Sequence, residues 1–308
     1  MGESSRLSWF DDLSSDDYEL QRQAAVTLRE LAVNHENKRD IGRMGAIRPL
    51  IGLLGGDRPA AVHEQAAAAL RALARNDVGN QTQIEEQGGI APLVRLLSSS
   101  EAAVREQSAA ALTNLACSHR PNQTAIHAAG AIVPLVNLLG AEEAAGMRRA
   151  LLAEAAAGAL FNLALNPECA ASLFHIGGIP KLVKLLESGT PLLQGRAAGT
   201  LRNMGANRVG GASLRVAVAR AGAIPHLVRL LSSRDTMAVQ QACAALKDLA
   251  ATSARERGDI SKAGAIRPLL ALVSNEEAPD LLQEHAAILL MHLMHRNPQN
   301  LAEVRSAA

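Results

Sequence analysis

The stretch Gly130-Ala131-Ile132-Val133-Pro134-Leu135-Val136-Asn137-Leu138-Leu139 returns, slightly altered, five more times along the 308 residues. Its copies begin at Gly45, Gly88, Gly130, Gly177, Gly222 and Gly264, spaced 42 to 47 residues apart. A recurrence of this length points to a helical solenoid, because each unit then buries its apolar face only against its neighbours. A chain built that way grows by addition, so the two-domain prior from its length does not apply.

Each glycine closes a short Asn-Ile-Gly pattern, clearest at Asn37/Ile41, Asn80/Ile84 and Asn122/Ile126. The asparagine reads as the N-cap of a first helix and the glycine as the left-handed residue that ends it. Proline follows at Pro49, Pro92, Pro134 and Pro268, or one place earlier at Pro180 and Pro225. Half of the twelve prolines thus occupy the first turn of a second helix, where a missing amide hydrogen costs nothing. A longer third helix carries leucines recurring at Leu28, Leu70, Leu112, Leu160, Leu201, Leu246 and Leu290. With about 100° per residue, Ser108, Ala111, Leu112 and Leu115 share a core face, while Gln107, Ala110, Asn114 and Cys117 line a surface.

Three helices per unit, with "G-[AG]-I-x-P-L-V-x-L-L" and "A-L-x-N-L-A" as signatures, resemble the armadillo repeat family over nearly the whole chain. The resemblance implies an all-α fold: a right-handed α-solenoid superhelix of six to seven repeats whose third helices line a concave groove. It also implies that an asparagine ladder in that groove binds the backbone of an extended peptide. The matching positions are Asn114, Asn162 and Asn203; Glu30, Ala72, Asp248 and His292 fill the same slot elsewhere. Nuclear import adaptors of the family carry tryptophan four residues earlier, where this chain has Ala68, Ala110, Gly158, Gly199, Ala244 and Ile288. The helices around Asn162 and Asn203 look closer to catenin-like and plant or protist armadillo proteins.

The residue just before the ladder slot reads Arg29, Arg71, Thr113, Phe161, Arg202, Lys247 and Met291, four of seven basic and none acidic. A groove flank of one sign attracts segments of the other, so an acidic or phosphorylated ligand is expected. Arg202 and Lys247 would pair its carboxylates and Phe161 would offer an apolar contact.

The period predicts one solenoid over 1–308, with 1–33 a degenerate N-terminal cap and repeats at 34–76, 77–118, 119–166, 167–207, 208–251 and 252–296. Residues 297–308 read as the start of a further, truncated repeat, which would bare an apolar face around Leu289, Leu290 and Leu293. Extra residues near "GAEEAAGMRR" and "RVGGAS" are expected in loops.

Charge nearly cancels, 31 basic against 30 acidic residues, so nothing supports a role on nucleic acid or a membrane surface. No run of about 20 apolar residues predicts a membrane span. The three cysteines, Cys117, Cys169 and Cys243, form no framework and read as buried thiols in a reducing compartment, cytoplasmic or nuclear. The opening residues lack the layout of a signal peptide, so the sequons at Asn80 and Asn122 are expected to stay unmodified. No phosphate-binding loop or nucleophile motif occurs, and His285, His292 and His295 have poor zinc spacing. The expected protein is a monomeric, non-enzymatic scaffold without cofactor, holding an extended partner segment in its groove. The alternatives are the substrate-recognition part of a larger ubiquitin-ligase-type protein and, disfavoured by the missing tryptophans, a nuclear import adaptor.

Overall fold

The computed structural model describes residues 3–140, 146–207 and 210–307, which form helices and turns with no strand. Close contacts divide the chain into two units, Met1–Leu163 and Ala164–Ala308. The first unit opens with the pair α1 (Glu3–Ser14) and α2 (Tyr18–Leu31). Three triplets follow: α3 (His35–Arg43), α4 (Ile47–Gly52), α5 (Ala60–Ala74); α6 (Val78–Glu86), α7 (Ile90–Leu96), α8 (Ala102–Ala116); α9 (Arg120–Ala128), α10 (Ile132–Leu138), α11 (Gly146–Leu163). The second unit has α12 (Pro167–His175), α13 (Gly178–Ser188), α14 (Pro191–Ala206), then α15 (Gly211–Arg220), α16 (Ala223–Leu230), α17 (Thr236–Ala250). It ends with α18 (Ala254–Lys262), α19 (Ile266–Val273), α20 (Asp280–Met294) and α21 (Pro298–Ala307).

The main packing joins the longest helices in series, α2 to α5 to α8 to α11 in the first unit and α14 to α17 to α20 in the second. The recurring leucines sit at these seams, none more than 5% exposed. Each contributes about 2 kcal/mol of apolar burial relative to exposure. The six corner glycines all have φ between 71° and 86°. A methyl group at Gly130 would touch nothing, so what glycine supplies there is the left-handed backbone, not room.

The expected asparagine N-caps are not at Asn37, Asn80 and Asn122. The caps lie three residues earlier: Asn34, Asp77 and His119 each accept an amide from the first turn. Asn80 and Asn122 are instead buried, and their amides close the end of the preceding long helix. Asn80 Nδ2 donates to Leu73 O at 3.1 Å and to Lys38 O at 3.1 Å. Asn122 Nδ2 donates to Leu115 O at 3.0 Å and Gln81 O at 3.2 Å. Gln81 to Ala74 O, Gln123 to Ala116 O, Arg257 to Ala250 O and Asn300 to Leu293 O repeat the same seven-residue reach. The last carbonyls of a helix have no partner within it, and here the next repeat supplies one. Buried polar side chains without a glycosylation surface also leave both sequons closed.

Three further expectations need correction. Cys117 is exposed, because it lies past the last residue of α8, at the cap; only Cys169 and Cys243 are buried. Leu289, Leu290 and Leu293 are at most 5% exposed. They face inward, where α18, α19 and α21 pack on α20. The first insertion is partly helical: α11 runs 18 residues against 15 for α5 and α8, and residues 141–145 of that stretch lie outside the described residues. Gly210 and Gly211 of the second insertion start α15, while 208 and 209 lie outside the described residues.

Candidate functional site

The ladder slot falls two residues after each buried leucine, about 200° round the helix from the core. In the first unit this leaves Asn114 and Asn162 half-exposed on one stripe with Gln107 and Ala110. Asn114 Nδ2 donates to Arg71 O at 2.8 Å, and Asn162 Nδ2 to Thr113 O at 2.9 Å. Each acceptor lies on the previous long helix, just before that helix's own ladder slot. Thr113 Oγ1 reaches forward to Ala155 O at 3.0 Å, and Arg29 Nη1 to Gln65 Oε1 at 2.7 Å. The inner faces are thus laced helix to helix by side chains. An amide that spends one N–H this way keeps a second donor and its oxygen.

Asn203 in the second unit is 5% exposed, far more enclosed than its two counterparts. The residues before the slot behave as inter-helix bridges as well as a flank. Arg202 Nε lies 3.8 Å from Asp248 Oδ2, and Lys247 Nζ 4.0 Å from Asp248 Oδ1. Asp248, read as a ladder residue, therefore sits between two cations. His292 occupies the slot on α20, half-exposed, beside the exposed Met291. Phe161 is half-exposed on α11.

Charge on the first unit's inner face is mixed. Burial pushes the Arg71 guanidinium pKa down, with Glu106 acting against that and Arg29 and Arg75 adding to it. Burial raises the Glu106 carboxyl, opposed by Arg148 and Arg71; Arg148 Nη1 stands 3.6 Å from Glu106 Oε2.

A row that sequence reasoning caught at only one place lies five residues before each leucine. Gln23, Gln65, Gln107 and Gln241 occupy it in four of the seven copies. Gln107 Nε2 donates to Glu106 Oε1 at 3.2 Å, whereas the Oε1 atoms of Gln107 and Gln241 are buried with no hydrogen bond. A buried acceptor left unpaired carries a desolvation cost. Counting back from the leucines would have found the row.

At the slots where import adaptors carry tryptophan, Ala68 and Ala244 are buried alanines and Gly158 and Gly199 have no side chain. Among the described residues no three His, Cys, Asp or Glu side chains gather to hold a metal. No single described helix is long and apolar enough to cross a membrane. In each unit the ladder stripe offers hydrogen bonds and charge.

The armadillo/beta-catenin-like repeat profile matches residues 34–75, 80–117 and 212–251. No curated protein matches the chain. Among solved structures, an engineered protein is 29% identical over 98% of this chain and 71% of its own, with a TM-score of 0.86. A designed armadillo repeat protein is 25% identical over 80% of this chain and 99% of its own, TM-score 0.71. Another, computationally designed for modular peptide recognition, is 25% identical with the same 80% and 99% coverage and a TM-score of 0.69. Profile, triplet architecture and structural likeness agree that this chain carries armadillo repeats and folds as the designed armadillo repeat proteins do.

Proposed function

We propose that the protein is a non-catalytic scaffold whose long-helix inner faces hold an extended segment of a partner protein, acidic in character. The observation that carries this reading is the pair Asn114 and Asn162. Both stand half-exposed on one stripe, positioned by a bond to the preceding helix and able to donate and accept once more. The designed relative described for modular peptide recognition supports the same use of the fold. In the second unit Arg202 and Lys247 outnumber Asp248, which favours an anionic ligand there. Soluble compartments, cytoplasmic or nuclear, suit such a role.

The test is a peptide array of acidic, basic and neutral extended sequences, followed by anisotropy titration of the best binder. Replacing Asn114 and Asn162 together by alanine should weaken binding about tenfold or more, as two hydrogen bonds of about 1 kcal/mol each are lost. Unchanged affinity in a folded double variant, or a preference for basic peptides, would refute the reading.

A further inference from the structure

In the second unit two helices bring cations around Asp248, and a third carries a histidine close enough for all three to act on its ring. Arg202 comes from α14, Lys247 and Asp248 from α17, and His285 from α20, five residues before Leu290. The two ion pairs to Asp248, at 3.8 and 4.0 Å, are longer than hydrogen bonds. Arg202 Nε is buried with no hydrogen-bond acceptor, so its donor is unmatched. Resting on the peptide-binding reading above, we propose that Arg202, Lys247 and His285 form a subsite for a ligand carboxylate, and that filling it draws a proton from solvent onto the His285 ring.

His285 is half-buried. In the free protein burial, then Lys247, then Arg202 hold its pKa down, while Asp248 and Glu284 of its own helix act the other way. No charged group of α18, α19 or α21 is among those acting on the ring. An incoming carboxylate neutralises the two cations that repel the proton and adds an attraction of its own. The His285 pKa therefore rises on binding, and by linkage the affinity rises as pH falls through it.

The experiment uses the full chain and a fluorescein-labelled Glu-Ser repeat peptide, with Lys-Ser and Gly-Ser repeats as comparisons. Affinity for the Glu-Ser peptide should rise about five- to tenfold between pH 7.5 and 5.5. Calorimetry in two buffers of different ionisation enthalpy should count net proton uptake. In His285→Gln the affinity ratio between the two pH values should fall to near one and uptake should vanish; His226→Gln, on α16, should keep both. Should either variant misfold by circular dichroism, titration of the His285 ring by NMR with and without peptide gives the same answer. Glu-Ser binding without pH dependence or proton uptake overturns the proton-coupled subsite and leaves the scaffold reading standing. Binding of only Lys-Ser or Gly-Ser peptide overturns the subsite and the acidic preference, and no binding by any of the three overturns both readings.

Discussion

Cys117, Cys169 and Cys243 share an apolar helical setting in the sequence, yet their chemistry differs because local position, not composition, decides exposure. Cys117 lies past the last residue of α8, at the cap, and is open to solvent. Burial, with Glu168 adding to it, pushes the Cys169 thiol up to about 12. Burial does the same for Cys243, to about 12, against a small opposing effect of Lys247. Only the thiolate reacts, so near pH 8 each buried thiol is ionised in about one molecule in ten thousand even before access is considered. Brief treatment with iodoacetamide at that pH should therefore label one thiol, mapped by mass spectrometry to Cys117, with the other two labelled only after unfolding. Fast labelling of Cys169 or Cys243 in the native protein would show that the buried seams open far more often than this structure implies.

Helix type and order were legible in the chain: the six Gly–Pro corners and the 3.6-residue spacing of apolar positions are local signals, and local signals survive in sequence. The roles of Asn80 and Asn122 were not, because their acceptors stand seven residues back and one repeat away. A residue type favoured at N-caps was placed at the cap, while the true caps, Asp77 and His119, sit after the left-handed residues Asn76 and Ser118. The same limit applies to the candidate site. The ladder stripe follows from helix geometry, but the enclosure of Asn203 and the pairing of Asp248 depend on how neighbouring helices meet. The capping bridges are also energetic. Asn122→Ala removes two buried hydrogen bonds and leaves Leu115 O, at the end of α8, without a donor. It should cost about 2–4 kcal/mol in urea denaturation, whereas Glu86→Ala on the exposed face of α6 should cost much less. Equal, small effects at both positions would mean the bridges are solvated and not structural.

A stack of repeats distributes its stability along its length. Within each unit the long helices pack in series, and α1 is bordered chiefly by α2 and α4. In such an array stability is a sum of repeat and nearest-neighbour contributions, so a helix flanked on one side opens before one flanked on both. Trp9, the single tryptophan, lies in α1, is 4% exposed and stacks on Phe10 with ring centroids 4.1 Å apart. Its fluorescence therefore reports one end of the first unit, while far-UV circular dichroism averages over all the helices. Urea titration followed by both probes should give a lower midpoint for Trp9 than for helix content. The van't Hoff enthalpy from a thermal scan should likewise fall below the calorimetric one, the signature of departure from two-state behaviour. A stabilised interior, for instance with bound peptide, should shift the circular dichroism transition and leave that of Trp9 nearly in place. If the two probes instead trace one superimposable transition with equal enthalpies, the coupling between repeats is strong enough to make the array open as a single cooperative body, and the nearest-neighbour description is wrong for this protein.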